Sequence, residues 1–113
     1  MELMYYHNPN CSKSRQGLEI IMNSKIACTV HDLKKKPLTQ EELENIYDIL
    51  ADDKRLLCRL EDAEISLFGK NKRDQIINAI LDQPKELQRP ILVKQNKAYI
   101  CRPPERIYEF LCQ

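Results

Sequence analysis

The opening 33 residues restrict the fold of this chain more than any other part of it. Leu3-Met4-Tyr5-Tyr6 is a short apolar and aromatic run that stops at His7-Asn8-Pro9-Asn10, a cluster of turn-forming residues, so it reads as a strand followed by a loop. From Ser12 onward the apolar positions Leu18, Ile21 and Met22 recur at helical spacing, and Ser24-Lys25 stands where that helix should end. Ile26 to Leu33 is a β-prone run of Ile, Val, Thr and Cys, which Lys34-Lys35-Lys36-Pro37 breaks with charge and a fixed φ. Strand, helix and strand in so short a stretch form a βαβ unit, whose strands run parallel through a right-handed crossover.

The rest of the chain adds helices and then a hairpin. Thr39 stands three residues before Glu42, a capping-box signature, ahead of the stripe Leu43, Ile46, Tyr47 and Leu50. Asp52 to Leu60 and Asn71 to Leu81 read as two more helices, the second carrying Ile76, Ile77, Ile80 and Leu81 on one face until Pro84 intervenes. Pro90 to Val93, the polar break Lys94 to Lys97, and Ala98 to Cys101 read as two strands in a tight antiparallel hairpin. Arg102-Pro103-Pro104-Glu105 then opens a last helix through Ile107, Tyr108, Phe110 and Leu111, because Pro suits a first turn and Glu its positive end. Parallel and antiparallel pairings together require a mixed sheet. The order βαβ, helices, ββα therefore predicts an α/β, thioredoxin-like fold: a mixed four-stranded sheet with flanking helices and an α-helical insert.

With 113 residues the expectation is one domain, 1–113, large enough to bury roughly two-thirds of its unfolded surface. Lys and Arg number 18 against 17 Asp and Glu, a net charge of +1, so no bulk attraction to nucleic acid or membrane is expected and any anion site must be local. The opening apolar run is too short for a signal peptide and no stretch approaches the roughly 20 apolar residues of a membrane span, which predicts a cytoplasmic protein. Cys28 and His31 lack a second Cys/His pair to complete a zinc site, so no metal is expected, and His31 reads as structural.

Cysteine occurs at positions 11, 28, 58, 101 and 112, an odd count without tight pairing, which argues for free thiols. Cys11 is the one placed for chemistry. It lies where a strand hands over to a helix, facing the helix's unpaired N–H groups and positive dipole end, and this favours a thiolate. Lowering a thiol pKa by about 2 units requires about 2.7 kcal/mol, whereas one dipole supplies roughly 0.3 to 1 kcal/mol. Further donors or charges must join it, and the local candidates are His7, Lys13, Ser14 and Arg15 together with arginines from elsewhere. The loop has no glycine and is not a Walker-type phosphate cradle. Cys28 and Cys112 read as packing residues, as do Tyr5 and Tyr6. Cys58 and Cys101 each precede an arginine, which makes them candidates for a thiol that resolves Cys11.

Three segments in register resemble the glutaredoxin-coupled arsenate reductase family: His7-Asn8-Pro9-Asn10-Cys11-Ser12-Lys13-Ser14-Arg15, Leu87-Gln88-Arg89-Pro90-Ile91 and Cys101-Arg102-Pro103-Pro104-Glu105. Leu56-Leu57-Cys58-Arg59 falls where that family places another arginine. The CSKSR loop and the RPPE ending are most similar to an uncharacterised branch of it. The resemblance implies a thioredoxin-like fold in which Cys11 attacks arsenate or another small oxyanion. It implies that Arg59, Arg89 and Arg102 hold the anion, that His7 with Ser14 favours the thiolate, and that Arg15 assists from the loop. It implies a cis Arg89-Pro90 peptide, no bound cofactor, glutathione as co-substrate and glutaredoxin as partner. Guanidinium groups suit this work, since they are permanently charged and present forked donors to a tetrahedral oxyanion.

Ser14 occupies the position three after Cys11, so no local Cys-x-x-Cys disulfide can close and an external thiol is needed for turnover. Two rival functions fit the same fold. One is a thiol-disulfide or deglutathionylating oxidoreductase without arsenate activity. The other is an Spx-like transcription regulator, a class that typically carries the Cys-x-x-Cys switch absent here.

Overall fold

A computed structural model describes residues 3–59 and 72–111. β1 (Leu3–His7) leads through a four-residue loop into α1 (Ser12–Ser24), and β2 (Cys28–Asp32) returns parallel to β1 with Tyr5 opposite Val30. α2 (Gln40–Ile49) and α3 (Lys72–Asp82) follow, then the hairpin of β3 (Ile91–Lys94) and β4 (Lys97–Ile100), and finally α4 (Arg106–Leu111). The sheet order is β2-β1-β3-β4, with β3 antiparallel to both β1 and β4. This is the mixed four-stranded, thioredoxin-like sheet that the element order predicts.

The period of two along β1 divides the core. Leu3 and Tyr5 point to one face, where they pack with Leu92, Ile21 of α1 and Ile107 and Phe110 of α4. Tyr6 points to the other, with Ile91 and Ile100, Leu43 and Ile46 of α2, and Ile76 and Ile80 of α3. With both faces covered, the central strands are apolar on both sides, which is why β1 and β3 read as continuous apolar runs rather than alternating ones. β2 is an edge strand and leaves Thr29 and Val30 exposed.

The α2 capping box forms as expected: Thr39 Oγ1 accepts from the Glu42 N–H at 3.2 Å, and Glu42 Oε1 accepts from the Thr39 N–H at 3.0 Å. Several boundaries differ from the sequence expectation. β2 begins at Cys28 rather than Ile26, because the chain from Lys25 is still closing α1; Lys25 takes a left-handed conformation (φ 61°) and its N–H donates to the Met22 carbonyl. The helix expected over Asp52 to Leu60 is reduced to a single 3₁₀ turn, Lys54–Leu57. Main-chain pairing displaces it. Cys58 bridges Leu87 antiparallel, the Gln88 N–H donates to the Leu57 carbonyl at 2.8 Å, and the Arg59 N–H donates to the Glu86 carbonyl at 2.7 Å. The last helix begins at Arg106, after a turn in which the carbonyls of Pro103 and Pro104 accept from the N–H groups of Arg106 and Ile107. Leu60 and Asn71, ends of two expected helices, and Cys112 lie outside the described residues.

Candidate active site

Cys11 is the N-cap residue of α1, in extended conformation (φ −103°, ψ 121°) and partly exposed. The loop that holds it is stitched from within. The Cys11 N–H donates to the Asn8 carbonyl at 3.0 Å, and Asn8 Oδ1 accepts from the Asn10 N–H at 2.9 Å, a side-chain turn typical of Asn. Arg15 Nη1 donates to the Pro9 carbonyl at 2.8 Å. Arg15 thus braces the loop main chain.

Ser14, fully buried, is the hub between loop, helix and sheet. Its hydroxyl oxygen accepts from the Asn8 N–H at 2.9 Å and lies 2.7 Å from His7 Nδ1, while its carbonyl accepts from the Tyr5 hydroxyl at 2.7 Å. The tyrosine reaches that carbonyl only because residue 17 is glycine: a Cβ there would overlap the Tyr5 hydroxyl and stand 2.9 Å from Ile107 Cδ1. Tyr5, which reads as a packing residue in the sequence, is therefore also a strut of the Cys11 loop. Nothing in its local pattern signals this, because the contact depends on a glycine 12 residues away that falls beneath it only when α1 crosses the sheet.

His7 is buried against Tyr5, and burial lowers its pKa below the ordinary imidazole value, with Asp32 and Ser14 opposing and Arg15 reinforcing the shift. Its ring holds the Ser14 hydroxyl through Nδ1. The Cys11 thiol itself is pulled below its ordinary pKa. Burial pushes it up, but the main-chain N–H groups of Ser14 and Lys13 and then the guanidiniums of Arg102 and Arg89 outweigh that effect. The Cys11 side chain makes no cap hydrogen bond in this geometry, and these amides favour the charged form of the sulfur.

Arg102 Nη1 stands 4.0 Å from Cys11 Sγ and donates to the Arg89 carbonyl at 3.0 Å, joining the thiol to both arginine-bearing corners. Both corners are cis X-Pro peptides, Arg89-Pro90 and Arg102-Pro103. The resemblance implies the first of them; the second is a finding of the structure. The corners are tied together where the Cys101 N–H donates to the Pro90 carbonyl at 2.9 Å. Arg59 is exposed, and its described contact is the main-chain bond to Glu86; among the described residues the charges drawn up to Cys11 are those of Arg102 and Arg89.

A group that sequence reasoning overlooked fixes the Arg102 corner. Asp52 accepts from the Ile100 N–H at 2.9 Å through Oδ2 and from Arg106 Nη2 at 2.9 Å through Oδ1, while Arg106 Nη1 donates to the Ile100 carbonyl at 2.6 Å. The other cysteines are placed differently from Cys11. Cys58 and Cys101 are buried, and burial pushes the Cys101 thiol up to about 12 despite the nearby Arg106. Cys28 is also raised by burial. His31 is held by a 2.6 Å bond between its Nε2 and the Lys36 carbonyl and leans on Tyr6, a structural role.

Residues 6–110 match the ArsC family. The chain is 33% identical to an arsenate reductase of Haemophilus influenzae, over 98% of this chain and 100% of the relative. It is 32% identical to an uncharacterized protein of Escherichia coli, over 97% of each. Among solved structures, an arsenate reductase from Vibrio cholerae superposes with a TM-score of 0.79 at 33% identity, covering 96% of this chain and 97% of that one.

Proposed function

The chain belongs to the ArsC family, and we propose that it reduces arsenate to arsenite through the Cys11 thiolate, in the cytoplasm, with glutathione as co-substrate and glutaredoxin as the partner that clears the resulting disulfide. The observation that carries this reading is the meeting at Cys11 of a lowered thiol pKa and two arginines, one of them 4.0 Å from the sulfur.

In this mechanism the anion is drawn by Arg89 and Arg102, with Arg59 completing the clamp, and the helix N–H groups and guanidiniums hold Cys11 as thiolate beside it. The sulfur attacks arsenic and one arsenate oxygen leaves as water after taking up protons, giving a thiol–arsenic(V) adduct. Glutathione then forms a sulfur–sulfur bond with Cys11. The two electrons given up by the two sulfurs reduce arsenic(V) to arsenic(III), and arsenite leaves. Arsenate and two thiols thus yield arsenite, one disulfide and one water. Since residue 14 is serine, no local disulfide can close with Cys11, and Cys58 and Cys101 are buried, so the electrons come from an outside thiol. His7 and Ser14 act by fixing the loop, and Arg15 by bracing it at Pro9.

Arsenite release in the presence of glutathione and glutaredoxin tests this directly. We expect steady turnover in the native chain and a fall of at least about a thousandfold in Cys11→Ser, as is usual when the nucleophile of a covalent mechanism is removed. Arsenite at blank level with full coupling, from protein whose Cys11 is reduced, would refute the reading.

A further inference from the structure

Beside the Cys11 loop lies a groove of about 310 Å³ that shares Arg89 with the proposed anion clamp and extends away from it. Its floor is apolar, built from Leu33 after β2, Leu38 and Leu43 around the start of α2, and Leu87 before β3. Its rim is cationic, with Lys34, Lys85 and Arg89, and among the described residues lining it there is no carboxylate. At one end stand Asn8 and Asn10, the residues whose turn holds Cys11.

Three features narrow the occupant. The volume is at the lower end of what small organic ligands occupy and far exceeds the needs of a tetrahedral oxyanion. Cationic groups at the rim over an apolar floor suit a molecule with peripheral carboxylates and an aliphatic body. Asn10, next to Cys11 in the chain, and Arg89, whose carbonyl accepts from the same Arg102 guanidinium that stands 4.0 Å from Cys11 Sγ, both line the groove, so it opens beside the Cys11 loop. We propose that the groove is the seat of the second thiol, a small anionic thiol peptide of the glutathione class, with Lys34 and Lys85 receiving its carboxylates and its sulfur directed toward Cys11. This rests on the two-thiol reaction above and deepens it by assigning the co-substrate a site. It also separates the two ligands: the oxyanion between the arginines at Cys11, the thiol peptide on the lysine side.

The experiment is a titration of the full native chain with S-methylglutathione, whose sulfur is blocked, followed by amide NMR shifts. We expect saturable shifts centred on Leu33, Lys34, Lys85 and Leu87, and an affinity about tenfold weaker in Lys34→Glu/Lys85→Glu, the size expected for losing two charge-assisted contacts. Shifts without saturation at millimolar concentration would overturn the proposal. So would shifts centred on the open apolar face formed by Leu18 and Met22 of α1, or an unchanged affinity in the double variant. Shifts at the same groove amides with reduced glutaredoxin but not with S-methylglutathione would overturn it in favour of protein docking. The mapping in the native chain holds whether or not the double variant folds. Because the titration contains neither arsenate nor a free thiol, the groove assignment and the arsenate reading can each fail alone.

Discussion

Arg102 stands between two cysteines of opposite character. Cys101 precedes it in the chain, is wholly buried and has its thiol pushed up to about 12. Cys11 lies 91 positions away in sequence but 4.0 Å from the guanidinium in space, and its thiol is pulled below the ordinary value. Both feel a positive charge, since Arg106 acts on Cys101 much as Arg102 acts on Cys11. What separates them is solvation. Cys101 sits in the apolar layer with Leu92, Ile107 and Phe110, where one guanidinium and one main-chain N–H do not repay burial of a thiolate. Cys11 is only partly buried and is met by two helix N–H groups before either arginine is counted. A neighbouring arginine is therefore not enough to mark a reactive cysteine; the terminus of a helix and access to water are needed with it.

Replacing the shared guanidinium should break this contrast most severely. Arg102→Gln removes a charge beside Cys11 and a donor proposed for the anion, and we expect arsenite formation to fall about 10- to 100-fold, the loss of one charge-assisted contact of roughly 1.5 to 3 kcal/mol, with a raised Cys11 pKa. Arg102→Lys should recover part of the pKa effect and little of the rate, because lysine restores the charge without the fork. Equal rates in the native and Gln chains would remove Arg102 from the site.

Tyr5 feels both thiols and props the Ser14 carbonyl, so its seat at Gly17 offers a second intervention. Gly17→Ala should displace the tyrosine ring and destabilise the fold by about 1 to 3 kcal/mol, the usual penalty of overpacking, measured by denaturant unfolding. Its Cys11 loop should also loosen, seen as a higher Cys11 pKa. An unchanged midpoint with unchanged thiol reactivity would contradict the strut role.

The smallest effect belongs to Cys101. Its folded pKa is raised above the unfolded value, so it contributes stability that is fully present below the unfolded pKa and is lost as pH rises through the folded one. Between about pH 9 and about pH 10 the native chain should lose roughly 1 kcal/mol that Cys101→Ala does not lose, whatever constant offset the substitution adds. Identical pH slopes would show Cys101 to be solvated in the folded state and would erase the contrast with Cys11.

The parts of this molecule legible in its sequence are those encoded locally. The strand, turn and helix around Cys11, the Thr39–Glu42 capping box and the hairpin at Lys94 to Lys97 each carry their own signal in adjacent residues. The segment from Asp52 misled because its decisive partners are distant: Ile100 and Arg106 hold Asp52, and Glu86 to Gln88 capture Leu57 to Arg59. At the site, the Cys11 loop and the Arg89-Pro90 corner could be read from motifs, whereas the Arg102-Pro103 corner reads in the sequence as a helix start. The lowered pKa of His7 could not, since it follows from burial against Tyr5, nor could the Tyr5–Ser14 strut or the groove beside Leu33 and Leu87.

Every role proposed for this site depends on the Cys11 thiolate, whose pKa can be measured. It can be read from the pH dependence of alkylation at Cys11, located by mass spectrometry, in the native chain and in Arg102→Gln. The result expected is a pKa below that of an ordinary thiol in the native chain, moving upward in the variant, while Cys101 stays unreactive until the protein unfolds. A native Cys11 pKa at or above the ordinary thiol value, unmoved by loss of Arg102, would contradict the central claim.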